Sequence, residues 1–144
     1  MSDENRRQVE ITRLSRGHYE ATNGRGAKLI FGSGLEDAFS PVELLLTAIG
    51  GCSGIDVDFV TSRRSEPASF TVRVDGDKVR DESGNRLANL KLTFDIEFPG
   101  GEEGDAARAV LPRTVQQSHD RLCSVSRTIE LGTPIAVEIA SETT

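Results

Sequence analysis

Apolar and polar residues alternate with period two in two long stretches, "ASFTVRVDGDKV" (68–79) and "LANLKLTFDIEF" (87–98). That period puts successive side chains on opposite faces of a strand, so each stretch predicts a β-strand with one packed and one solvated face. "DESGN" between them supplies turn residues, and the pair predicts a long antiparallel hairpin. Weaker alternation in "VEITRL" (9–14) and "HYEAT" (18–22), then "AKLIF" (27–31) after the Gly-rich "NGRG", predicts two or three short antiparallel strands ahead of it. "IAVEI" (135–139) predicts a last strand.

Between these lie two helical patterns. "SPVE" (40–43) reads as a Ser N-cap, Pro at the first helical position and Glu at the third, a capping box with a preorganised first turn. The predicted helix runs from Pro41 to about Arg63, apolar all round in its first half and therefore buried on every side. Gly50, Gly51 and Gly54 each cost about 1 kcal/mol against Ala inside a helix. Close approach of another backbone, or of a second chain, is the simplest compensation. Asp56 and Asp58 mark where this helix leaves the core. A second helix is predicted over Glu102 to about Leu122, with one buried stripe (Ala106, Ala109, Val110, Val115, Leu122) and a kink or break at Pro112. "CSVSRTIEL" is a short helical or turn segment, closed by Gly132 and Pro134.

The order β-β-β-α-β-β-α-β defines an α+β protein. Its buried, glycine-bearing helix needs a sheet on one side and a further cover, which for a chain of this size points to a twin. At 144 residues the chain is one domain over 1–144, with residues 1–7 expected to fray. A net charge of −6 without any basic block argues against a nucleic-acid partner. "MSDENRRQVE" has no apolar leader, and the uncharged run Leu44–Ile55 is too short for a bilayer; the expectation is a cytoplasmic protein with no membrane partner.

The chemistry-bearing residues are few. A reducing compartment argues against a permanent structural disulfide between Cys52 and Cys123, which leaves two packing thiols or a redox pair. Cys52 lies three turns into the helix, where burial alone would raise its pKa and leave it inert. To react it needs a cation or hydrogen-bond donor, and Arg25, Arg121, Arg127 and His119 are the candidates. Cys123 begins a helical turn, whose amides would favour its thiolate. His119 stands four residues before Cys123, on the same helix face. With His18 and Cys52 they make only a nominal zinc set, because no close CxxC or HxxxH pair anchors it, and no metal is expected. Glu43 is explained by the capping box, and the same carboxylate could also meet a guanidinium. Arg25, flanked by glycines, is either a solvated turn residue or a group that a loop delivers into a site. "GSG" (32–34) lacks the later glycine and lysine of a phosphate loop.

"FSPVELLLTAIGGCSGIDV", followed far downstream by "SHDRLCSVSRTIELGTPIAVEI", resembles the OsmC/Ohr family of thiol-dependent peroxidases. The likeness covers nearly the whole chain, and the two motifs in this order and spacing are specific. The resemblance implies an OsmC-like fold, with curved antiparallel sheets around a long buried helix in an intertwined homodimer and two active sites at the interface. It implies that Cys52 is the peroxidatic and Cys123 the resolving cysteine, joined as a disulfide after a Cys52 sulfenic acid. It implies that Arg25, delivered from the partner chain, activates the first thiolate. It further implies a small organic hydroperoxide as substrate, no bound cofactor, and an external dithiol, such as one of lipoyl type, as reductant. One departure stands out. In the better-studied branches an acid directly follows the Pro and pairs with that arginine, whereas here Val42 intervenes and the acid is Glu43, rotated by about 100° on a helix. Glu36 or Asp37 could take its place. The spacing resembles a less characterised branch, which keeps open a non-catalytic dimeric module that binds a small apolar or thiol-bearing ligand in the same pocket.

Overall fold

A computed structural model describes residues 5–34 and 37–140. Residues 1–4 of the expected frayed terminus, and Glu36, lie outside them. The chain divides into two compact units, the first ending at Thr47 and the second beginning at Ala48.

The first unit holds the three predicted strands, β1 (Val9–Ser15), β2 (His18–Asn23) and β3 (Lys28–Gly32), as an antiparallel sheet in the order β1-β2-β3. Gly17 turns the first hairpin at φ 76°, a conformation that favours a residue without a Cβ. In the "NGRG" turn, Asn23 Oδ1 accepts from the N–H groups of Arg25 (2.9 Å) and Ala27 (3.0 Å), which explains an asparagine there. Tyr19 pairs with Phe31 across the strands, and their rings stack with centroids 5.8 Å apart.

The first helix, α1, spans Pro41–Thr61. Its capping box forms: the Ser40 N–H donates to Glu43 Oε1 (2.9 Å) and the Glu43 N–H donates to Ser40 Oγ (3.2 Å).

In the second unit, β4 (Ser69–Asp81) and β5 (Gly84–Glu97) form the predicted hairpin. Along β4, half-buried Phe70, Val72 and Val74 alternate with exposed Thr71, Arg73 and Asp75. The ladder shifts register near Asn89: Asp75 faces Lys91 but Asp77 faces Ala88, so β5 carries one extra residue there. Asn89 takes φ 55°, and its amide donates to Asp77 Oδ2 at 2.9 Å. This bulge explains why the apolar positions of β5 slip phase between Leu87 and Leu90.

The hairpin accounts for two of the helix glycines. A Cβ on Gly50 would meet Val74 Cγ2 at 2.7 Å and Val72 Cγ1 at 3.3 Å, and one on Gly54 would meet Val72 Cγ2 at 3.5 Å. The cover that lies close to these glycines is therefore the packed face of β4. Around Gly51 nothing lies within 4 Å, and Ile55 and Phe59 on α1 are 55% and 64% exposed. The expectation that the first half of α1 is buried on every side is corrected: Val42 and Leu45 are 36% and 39% exposed, and in a single chain Ile55 and Phe59 farther along are bare as well. With 21 residues and a mean hydropathy of 1.4 over its most apolar window, α1 also has the length and composition of a membrane span, a property that core helices share.

The second helical region departs from its prediction. The helix α2 (Glu102–Gln117) runs unbroken through Pro112, and the irregularity comes later, as a π-helical turn over Ser118–Leu122. A third helix, α3 (Ser124–Glu130), follows with Cys123 as its N-cap. Arg108 Nη1 donates to Phe98 O at 3.0 Å and so ties α2 to the end of the hairpin. The strand expected at 135–139 does not form. Ile135, Val137 and Ile139 are 87–92% exposed and pair with no strand among the described residues.

Candidate functional site

Among the described residues, the largest fully buried side chains, each below 2% exposure, are Val57, Thr61, Cys123, Ser53 and Ser118. Thr61 donates to Val57 O within its own helix, while Ser53, Ser118 and Cys123 make a polar seam where a core normally packs hydrocarbon, and buried polar groups need partners. They find them in one another. Ser118 Oγ donates to Asp56 Oδ2 at 2.8 Å and stands 3.3 Å from Ser53 Oγ. Ser53 in turn is within hydrogen-bonding reach of Cys123.

The π-helical turn delivers Cys123 to this seam. Its N–H donates to Ser118 O at 2.8 Å, and its side chain caps α3. The Ser126 N–H donates to Cys123 Sγ at 3.4 Å, and Ser126 Oγ lies 3.3 Å from the same sulfur. The Val125 N–H lies close enough to Cys52 to favour its thiolate, and the two thiols lie close enough to shift each other's ionisation. Both sulfurs therefore sit on the first turn of α3, one from each motif that the sequence singled out.

Cys52, expected deep in its helix, is only half-buried, while Cys123 is 0% exposed. Burial pushes the Cys52 thiol up; the Val125 N–H opposes the rise, and Cys123 and Asp56 reinforce it. Burial pushes the Cys123 thiol up as well, but the Ser126 hydroxyl and N–H, Ser53 and Cys52 outweigh it and hold it below the ordinary thiol value.

The remaining predicted residues are placed as follows. Both ring nitrogens of His119 face carboxylates, Asp120 at 2.9 Å and Glu130 at 3.1 Å, and these raise its pKa. Arg127 Nη1 donates to Asp120 O at 3.0 Å. In the first unit, Arg25 lines a cavity of about 570 Å³ with Arg6, Arg7, Gln8, Val9, Asn23 and Gly24, and Glu43 caps α1. A second-unit cavity of about 340 Å³ has Ile49, Val74, Leu90, Leu92 and Ile129 as its apolar wall and Lys91, His119, Ser126 and Glu130 as its polar one. Ser126 thus touches both this cavity and Cys123. Asp56, Ser53, Ser118 and Ser126 escaped the sequence reading. The signal for Asp56 was its place four residues after Cys52, one helical turn along the same face.

Fold and site together define an α+β protein of two antiparallel sheets with a juxtaposed pair of free cysteines between its long helix and a short one. The family model for OsmC-like proteins matches residues 33–138. The chain belongs to the OsmC/Ohr-like family. It is 32% identical over 103 residues to protein YhfA of Escherichia coli K12, covering 71% of this chain and 72% of that one. Its fold is similar to that of the OsmC-like protein of unknown function VCA0330 from Vibrio cholerae, with a TM-score of 0.72 at 14% identity over 90% and 95% of the two chains. It is also similar to the organic hydroperoxide resistance protein OsmC of Legionella pneumophila, with a TM-score of 0.56 at 14% identity over 89% and 91%.

Proposed function

We propose that this protein is a thiol-dependent peroxidase that reduces organic hydroperoxides to alcohols and works as a homodimer. One observation carries the reading: half-exposed Cys52 stands within reach of the buried Cys123, so an oxidised first sulfur has its partner already in place. The Cys52 thiolate attacks the distal peroxide oxygen, the O–O bond breaks and the alkoxide leaves as the alcohol. Cys123 then displaces hydroxide from the Cys52 sulfenic acid and closes a disulfide. An external dithiol, for which a lipoyl-type compound has suitable chemistry, reopens it by exchange. Because burial raises the Cys52 thiol pKa, its attack needs a cation, and Arg25 is the group assigned to that task, delivered by the partner chain. Glu43 would steady that guanidinium through the carboxylate that also caps α1. An alkyl tail gains burial energy against the apolar face of α1 that hydrogen peroxide cannot.

The bare side of α1, with Ile55 and Phe59, and the apolar tail residues Ile135, Val137 and Ile139 support a second copy as the missing cover, with the sheets curving around both helices.

The cavity bounded by Ile49, Leu90, Leu92 and Ile129 favours a second reading, a module that binds a small apolar ligand without turnover. One experiment separates the two. Reduced protein is treated with one equivalent of cumene hydroperoxide, and free thiols are counted. Loss of both thiols, reversed by a dithiol and abolished in Cys52→Ser, supports the peroxidase. Two intact thiols in wild type sink it in favour of the binder.

A further inference from the structure

A buried thiol has nowhere to send its proton. Cys123 is 0% exposed, so water cannot take the hydrogen when the sulfur becomes a nucleophile. A row of hydroxyls leads away from it. Ser53, 1% exposed, is within hydrogen-bonding reach of the sulfur; Ser118 Oγ, also 1% exposed at the residue level, lies 3.3 Å from Ser53 Oγ; and Asp56 Oδ2 accepts from Ser118 at 2.8 Å. Only the last member, half-buried Asp56, touches solvent.

We propose that Asp56 is the proton store of the cysteine pair, taking the Cys123 proton through Ser53 and Ser118 as Cys123 attacks the oxidised Cys52. The inference rests on the disulfide chemistry proposed above. A hydroxyl can accept a proton on one side and release its own on the other. The Cys123 S–H gives its proton to Ser53 Oγ, Ser53 gives its own to Ser118 Oγ, and Ser118 gives its own to the Asp56 carboxylate. The Cys123 sulfur forms its bond to the Cys52 sulfur as the S–O bond of the sulfenic acid breaks. Asp56, one helical turn from Cys52, returns the proton to the departing hydroxide, which leaves as water. The sum is a thiol plus a sulfenic acid giving a disulfide and water, with an organic hydroperoxide as the oxidant that made the sulfenic acid. Burial first, and the nearby Asp56 charge with it, raise the pKa of the Cys52 thiol, consistent with a carboxylate beside that sulfur.

A plain clamp between helices would use the same hydrogen bonds, so the test must read proton transfer. Full-length protein is oxidised with cumene hydroperoxide and, separately, with diamide, and closure of the Cys52–Cys123 bond is followed by quenched mass spectrometry. Asp56→Asn keeps an acceptor for Ser118 but cannot hold the proton. It is expected to close the bond about 100-fold more slowly, in the range general acid–base groups supply, with an unchanged thermal midpoint. Asp56→Gly is expected to regain at least about tenfold of that loss on saturating formate. Ser118→Ala, which cuts the relay with the carboxylate in place, is expected to be slow and deaf to formate, and it stands in if an Asp56 variant fails to fold. Closure by Asp56→Asn within threefold of wild type, or a slow Asp56→Gly that formate does not help, overturns the relay. If cumene hydroperoxide leaves the wild-type thiols intact while diamide joins them, the peroxidase reading fails and the diamide rates still decide the relay. If neither oxidant joins them, the relay falls too.

Discussion

Ser126 holds Cys123 from two sides: its N–H donates to the sulfur at 3.4 Å and its hydroxyl lies 3.3 Å away. The backbone contact belongs to the cap of α3 and survives most substitutions, whereas the hydroxyl depends on this one side chain. Ser126→Ala should therefore raise the Cys123 thiol pKa by about one unit, given that a neutral hydrogen bond is worth roughly 1 kcal/mol. Ultraviolet thiolate absorbance against pH in a Cys52→Ser background measures it. An unmoved titration would show that the hydroxyl does not stabilise the thiolate.

Gly50 and Gly51 are neighbours in α1 with opposite surroundings. Gly50→Ala would drive its new methyl into Val74, so overpacking of about 1–3 kcal/mol should outweigh the gain in helix propensity of about 1 kcal/mol. Gly51→Ala meets nothing in its own chain and should stabilise the isolated subunit by up to about 1 kcal/mol. Urea unfolding of both variants reads the contrast, and equal midpoints would contradict the packing of α1 on β4.

The bare face of α1 makes Phe59→Ser a test of assembly. Wild type is expected to sediment at twice the 15.6 kDa chain mass and the variant as a monomer. Wild type sedimenting at 15.6 kDa across micromolar concentrations would remove the homodimer.

His119 gives the pH prediction. Asp120 and then Glu130 raise its pKa, so the charged form is favoured by folding. The stability it contributes is complete below the ordinary histidine value of about 6.5 and fades as pH rises through the raised folded value. His119→Gln should be less stable than wild type at pH 5 and nearly equal to it at pH 9. The gap at pH 5 should be on the order of 0.2–1 kcal/mol, the usual worth of exposed ion pairs. A gap independent of pH would mean that the pair is not ionic in its effect.

What the sequence made legible was periodic or local. Alternation located the hairpin β4–β5, and "SPVE" located the start of α1, because a capping box is read within four residues. Both cysteines could be marked as chemistry, but Cys52 lies shallower than expected, since depth depends on which neighbours arrive. The π-helical turn that carries Cys123 inward has no distinctive composition. Pro112 failed to break α2, and the pattern "IAVEI" failed to become a strand, because a strand needs an edge and the pattern does not say whose. The serine relay was invisible for the same reason: Ser53 and Ser118 are remote in sequence, and each alone reads as a common surface residue.

The tail from Thr133 to Ala140 has no regular secondary structure, and its three large aliphatic residues lie almost fully open. If the proposed second copy is what covers this segment, the protein ties its survival to its own abundance. Freshly made or strongly diluted subunits would present this greasy end to proteases and chaperones, and the melting temperature would climb as concentration rises. Supply would then regulate lifetime without any dedicated degradation signal.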